Sequence, residues 1–94
     1  NTQVPYMKTK EDLTSHLGDL EKFTLLNQLY TGQLLGDFQI KNQDKRCRFS
    51  GYVVELNLDR VTIKSCKQYR HIKIKHILEI SLGVEGTDEE EKDL

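Results

Sequence analysis

The spacing of the hydrophobic residues changes once along this chain, from a helical period to an alternating one. Before residue 32, apolar side chains recur at intervals of three or four, at Leu13, Leu17, Leu20, Phe23, Leu26 and Tyr30. After residue 34 they alternate with polar residues, as in a strand that buries only one face. Because one element cannot follow both periods, the chain predicts a helical segment followed by strands.

The helical segment, residues 9–31, can be interpreted in two ways. Gly18 would cost about 1 kcal/mol inside a helix, and Asp19 is a good N-cap, so the pattern fits one helix or two short ones. Thr9 is the expected cap of the first turn. Gly32 is expected to end the segment as a left-handed C-cap.

Residues 33–82 predict about five short strands separated by polar turns at 42–45, 57–60 and 66–68. Between Phe49 and Val54 the apolar parity changes, which predicts a bulge or corner at Gly51. Near the end of this region, Ile72 and Ile74 are expected to point inward. The expected fold class is α+β: an N-terminal helix, or two short helices, and then a five-stranded, strongly bent antiparallel small barrel of the SH3 or Sm-like kind.

With 94 residues, the chain has room for one domain. We expect a flexible arm at 1–8, a single domain at 9–84 (helical 9–31, β-barrel 33–82) and a disordered acidic tail at 85–94. No apolar run approaches the roughly 20 residues that span a bilayer. Cys47 and Cys66 each lie in a strand-like run and are interpreted as reduced core thiols, so the cytoplasm is the expected compartment.

Charge is strongly segregated along the sequence, although the net charge is only −1. Residues 41–76 hold ten Lys or Arg and three acids, a net charge of +7, whereas residues 85–94 hold six acids and one lysine, a net charge of −5. The pattern predicts a basic sheet and an acidic tail. One hypothesis is that the tail folds back on the basic residues and competes with an acidic partner.

Patterns for catalysis and metal binding are weak, and we expect no enzyme, cofactor or metal site. Cys66, His71 and His76 form a C-x4-H-x4-H pattern. The two histidines are an odd number of residues apart, however, so in a strand they would face opposite sides. Surface histidines on a basic strand are therefore the favoured interpretation, and no glycine-rich phosphate loop is present.

A basic stripe on the predicted sheet is the better functional candidate. Its proposed contacts to a nucleic acid or protein partner are Arg46, Arg48, Lys64, Lys67, Arg70, Lys73, Lys75 and His76, with Tyr52 and Tyr69 as stacking rings. On a strand, Lys73 and Lys75 would project about 7 Å apart from one face, a spacing comparable to that of phosphates. The alternative is plain solvation, because lysines also protect exposed sheet edges.

Protein–protein binding remains open as a competing function. Leucines exceed what one helical stripe needs, at Leu25, Leu26, Leu29, Leu34 and Leu35. The surplus could form a second face that docks against another subunit, or it could belong to a deeply buried helix.

The C-terminal half resembles two known families. The run Gly51-Tyr-Val-Val-Glu-Leu-Asn-Leu-Asp59, then Val61-Thr-Ile63, then Ile72-Lys-Ile74-Lys-His-Ile77-Leu-Glu-Ile80, resembles the YolD-like family. That resemblance implies a non-enzymatic accessory role linked to DNA repair. More loosely, the same stretch is similar to Sm-like barrels, in which Lys75-His76 would match one nucleotide-binding pair and Asn57 or Asp59 the other. This second resemblance implies, as the alternative function, an RNA-binding ring made of several copies of the chain.

Overall fold

In this computed structural model, residues 12–84 are described, so the predicted arm at 1–8 and acidic tail at 85–94 lie outside the described part. The elements in chain order are α1 (Asp19–Gly32), β1 (Gly36–Asn42), β2 (Lys45–Leu56), β3 (Arg60–Ser65), β4 (Gln68–Lys73), a 3₁₀ turn (Ile74–His76) and β5 (Ile77–Leu82).

Of the helical segment predicted at 9–31, only the part from Asp19 onward is helical, in a single helix with Gly18 as its N-cap. Residues 12–18 are irregular, so the helix predicted there is wrong, and the cap predicted at Thr9 lies outside the described residues. The Glu21 carboxylate accepts a hydrogen bond from the Gly18 N–H (3.1 Å) and so satisfies a backbone donor at the helix start. At the other end, Gln33 takes the left-handed conformation (φ 52°, ψ 47°), so the C-cap predicted at Gly32 lies one residue further on. Among residues 12–84, no helix has the length and apolar character needed to cross a bilayer.

The buried face of α1 differs from the predicted stripe. Leu26 and Leu29 are buried, whereas Leu20 is 78% exposed and Tyr30 is 41% exposed, so these two members were predicted wrongly. The leucine surplus goes largely into the core, because Leu35 is buried as well. A second apolar face on the helix therefore has little support.

The five strands form one antiparallel sheet in the order β4-β3-β2-β1-β5. This confirms an α+β fold with a helix followed by a five-stranded antiparallel sheet. Within residues 12–84, no ladder joins β4 to β5, so the sheet is not closed into a barrel there. Closure of the predicted barrel stays a prediction.

Strand β2 joins the two halves of the sheet: Lys45–Gly51 pair with β1, and the rest of the strand pairs with β3. A Cβ atom on Gly51 would lie 2.5 Å from the Lys64 carbonyl oxygen, so glycine is needed here for a close backbone approach. The register shift lies between Val53 and Glu55. The bulge predicted at Gly51 is therefore displaced toward the end of the strand.

The core lies between the helix and the two halves of the sheet. Its fully buried large side chains are Phe38, Leu26, Ile63, Ile77 and Val61. The cysteines are both free and differ in environment: Cys47 packs beside the core, whereas Cys66 is exposed in the β3–β4 turn with φ 58°. The core position predicted for Cys66 is wrong.

The end of β4 confirms one prediction and corrects another. Ile72 and Ile74 are buried, and Lys73 and Lys75 are exposed, as predicted. However, β4 ends at Lys73, and Lys75 lies in the following 3₁₀ turn. The 7 Å spacing expected for two lysines on one strand therefore does not apply.

Candidate functional site

The two arginines predicted on β2 lie in the β1–β2 half of the sheet and are engaged in local contacts. Arg48 forms a two-pronged pair with Asp37, in which Nη2 lies 2.6 Å from Oδ2 and Nε lies 3.2 Å from Oδ1. Arg46 donates to the Gln39 side-chain oxygen (2.7 Å) and to the Asp12 carbonyl oxygen (2.6 Å from Nη2). These contacts link β1 to β2 and hold the segment before α1 against the sheet.

In the other half of the sheet, a row of side chains crosses three strands on the outer face. Tyr52 on β2 pairs with Lys64 on β3, and Lys64 pairs with Tyr69 on β4. The Lys64 ammonium lies 5.8 Å from the Tyr69 ring centroid, within cation–π range. We call these three residues the tyrosine–lysine row. Because successive strand residues face opposite sides, the neighbours Val53, Ile63 and Ile72 point to the core.

Two further ladder pairs continue this outer face. Thr62 lies opposite His71, with 3.1 Å between the Thr62 hydroxyl oxygen and His71 Nδ1, and Arg60 lies opposite Lys73. Arg60 was missed by the sequence reasoning. The available signal was its parity, since Arg60 and Lys64 are four residues apart on one strand and share a face. One carboxylate, Glu55, lies opposite Thr62 in the β2–β3 ladder.

The remaining predicted cations do not join this row. Lys67 is exposed in the β3–β4 turn. Arg70 has the parity of Ile72, and its guanidinium carbon lies 4.3 Å from the Phe49 ring centroid. The ring thereby holds Arg70 over the side of the core, on the face opposite to Lys73.

The residues matched by the Sm-like resemblance are only partly brought together. The Ile74 N–H donates to the Asp59 carbonyl oxygen (2.9 Å), so the β2–β3 turn contacts the 3₁₀ turn. Asp59 and Lys75 both line a cleft of about 410 Å³ there. The Asn57 side-chain oxygen accepts hydrogen bonds from the N–H groups of Asp59 and Arg60 (2.9 and 2.8 Å), which stabilises the turn itself.

A second cleft, of about 420 Å³, lies between the end of β1, strand β4 and the 3₁₀ turn. Its lining residues are Ile40, Lys41, Asn42, Arg60, Arg70, His71, Ile72, Lys73 and His76. We call it the basic cleft. Lys41 was also missed by sequence reasoning, because its place in the cleft depends on how β1 lies against β4, which local pattern does not reveal.

The surroundings of His76 favour its neutral form. Burial lowers its pKa below the ordinary value of 6.5, and the charges of Lys75, Lys73, Lys41 and Lys22 lower the pKa further. Lys22 itself is only 5% exposed on α1. A positive field therefore converges on this corner of the molecule from β1, β4, the 3₁₀ turn and the helix.

Comparison of the sequence with known proteins adds no assignment, since no family model and no curated protein matches the chain.

Proposed function

We propose that this protein is a non-enzymatic accessory protein that binds single-stranded nucleic acid through the outer face of β3 and β4. The observation that carries the proposal is the tyrosine–lysine row. Proteins that bind single strands combine aromatic rings, on which bases stack, with cations that follow the phosphate backbone. In the row, one lysine lies between two tyrosines on neighbouring strands, and Arg60 and Lys73 extend the positive charge along the same face.

Solvation alone does not explain this surface. A solvent-exposed sheet face needs only polar side chains, and lysines are enough to keep an edge strand from pairing with another chain. Tyr69 is 58% exposed on an edge strand, where its ring contributes apolar area to the surface. An exposed ring beside a lysine suits a single strand, because the flat face of an unpaired base is free to stack on the ring. It suits a duplex less well, because the bases there are stacked on one another inside the helix.

The YolD-like resemblance of residues 51–80 supports a role connected with DNA repair, by analogy. An Sm-like RNA-binding ring is the second candidate. Two observations favour it. The sheet order leaves β4 and β5 as the two edge strands, and the β2–β3 turn contacts the 3₁₀ turn through Asp59. The ring predicts a hexamer or heptamer, whereas the accessory protein is a monomer or dimer. Light scattering after size-exclusion chromatography separates the two.

The test of nucleic-acid binding is a titration of labelled single-stranded DNA and RNA at two salt concentrations. Affinity should fall steeply with salt, because each phosphate contact contributes about −0.7 to the slope of log K against log salt for single strands. Lys64→Glu should weaken binding and make the slope shallower. The matched control is Lys45→Glu, which reverses an exposed lysine at the start of β2. Salt-independent binding, or equal losses in both variants, would contradict the proposal.

A further inference from the structure

The basic cleft differs in charge from three other clefts among the described residues. Each of these contains a carboxylate: one is lined by Asp19 and Asp59, one by Asp37 and one by Asp44. The described lining of the basic cleft instead includes four permanent cations, Lys41, Arg60, Arg70 and Lys73, and no carboxylate. Cations that line one cleft without a counter-charge repel one another, and an anion bound there would relieve that repulsion.

The Phe49 ring holds one of these cations, Arg70, in place before any ligand binds, with 4.3 Å between the guanidinium carbon and the ring centroid. Lys22 lies outside the cleft lining but adds a charge from a side chain that is 5% exposed, and its field reaches His76. A cation fixed in the way Arg70 is fixed loses little conformational freedom on binding an anion, which favours affinity.

The size and position of the cleft indicate which anion it suits. Its volume of about 420 Å³ falls within the range of roughly 300–1,000 Å³ that is typical of small-ligand sites. It adjoins the tyrosine–lysine row through His71 and Lys73, which lie on β4 after Tyr69. Guanidinium groups suit phosphate oxygens because their planar N–H groups can donate in pairs.

We propose that the basic cleft is a phosphate-binding site that seats one phosphate group of the strand bound at the tyrosine–lysine row. The identity of the strand rests on the proposed function, but the site itself can be tested without nucleic acid. His76 lies in the lining with a lowered pKa, which favours its neutral form, while the arginines and lysines supply the charge. Protonation of His76 on acidification adds a further positive charge.

The experiment is an NMR titration of the ¹⁵N-labelled protein with inorganic phosphate at pH 7.5, with ionic strength held constant by exchange against chloride. Amide signals of the cleft residues should shift in a saturable way, and those of Tyr52 and Lys64 should stay in place. Lys41→Gln should weaken phosphate binding about two- to fivefold, the effect of one partly screened ion pair. Lys45→Gln, four residues away and outside the cleft lining, should leave it unchanged.

Arg60→Gln is the second variant and should weaken phosphate binding in the same way, because Arg60 enters the cleft from β3 rather than β1. Absence of saturable shifts at the cleft, or equal weakening by Lys41→Gln and Lys45→Gln, would overturn the inference. Phosphate binding without oligonucleotide binding would refute the proposed function and leave the phosphate site standing. Oligonucleotide binding without phosphate shifts would refute the phosphate site alone.

Discussion

Removing the ring of Tyr69 is the most direct perturbation of the proposed nucleic-acid surface. The side chain is 58% exposed, and its one aromatic contact among the described residues is the Lys64 ammonium at 5.8 Å. A cation–π contact at such an exposed site stabilises the fold by about 0.5–1 kcal/mol. Typical domains have about 5–15 kcal/mol of stability, so Tyr69→Ala should remain folded.

The expected effect on binding is much larger. Stacking of one base on an aromatic side chain contributes about 1–3 kcal/mol, as measured by alanine substitution. With about 1.4 kcal/mol per tenfold change in affinity, Tyr69→Ala should weaken binding of single-stranded DNA or RNA about 5- to 150-fold. Tyr69→Phe retains the stacking ring and should stay close to the unmodified protein.

Fluorescence anisotropy with a labelled oligonucleotide at low salt is a suitable assay. Tyr30→Ala is the matched control, because Tyr30 is also an exposed tyrosine but lies on α1. Thermal melts of the three variants would establish that each is folded. If Tyr69→Ala bound as tightly as Tyr30→Ala, base stacking on β4 would be refuted, even if electrostatic binding remained.

Three further predictions concern the fold, pH and the acidic tail. Gly51→Ala should destabilise the protein by about 1–3 kcal/mol in urea unfolding, because the added methyl group would overlap the Lys64 carbonyl oxygen. Gly18→Ala is the control and should destabilise it by less than about 1 kcal/mol, because the space around Gly18 is open. Equal costs would contradict the close approach seen at Gly51. The pKa of His76 is lowered from 6.5 in the folded state, so on acidification the unfolded chain takes up the proton before the folded protein does. The stability contributed by neutral His76 is therefore lost as the pH falls through 6.5. Melting temperatures from pH 8 to pH 5 should therefore fall less in His76→Gln than in the unmodified protein, and identical profiles would be the refuting result. Deleting residues 85–94, which carry a net charge of −5, should tighten oligonucleotide binding most at low salt, and unchanged affinity would remove the competing-tail hypothesis.

Features set by local sequence pattern were the most predictable. Ile72 and Ile74, expected to point inward because they alternate with lysines, are both buried, while Lys73 and Lys75 are exposed. The face on which Arg70 lies was also predictable, because side chains two residues apart on a strand share a face and Arg70 is two residues from Ile72. Leu20 shows where the pattern misled: it fits the helical spacing, but its side chain is 78% exposed in the described structure.

Features that depend on how distant strands meet were beyond the sequence. Lys41 and Arg60 are 19 residues apart and share a cleft only because the end of β1 lies near the start of β3 and the end of β4 in the folded sheet. In the same way, nothing local in the sequence indicates that Asp37 neutralises Arg48, a contact that depends on the β1–β2 register. A basic stripe could be predicted, but its division into paired and unpaired cations could not.

That division is the strongest physical argument for a binding role. Arg46 and Arg48 are satisfied by groups within the fold, so their charges need no external partner to explain them. Lys64, Arg60 and Lys73 form no ion pair with any carboxylate within residues 12–84, although Arg60 and Lys73 are direct partners in the β3–β4 ladder. Lys64 lies four residues further along β3 on the same face. Arg60 and Lys73 are like charges directly opposite each other on two strands, which reduces stability. Under the proposed function an anionic partner would offset this repulsion, although the β2–β3 ladder also places one carboxylate, Glu55, on the same face.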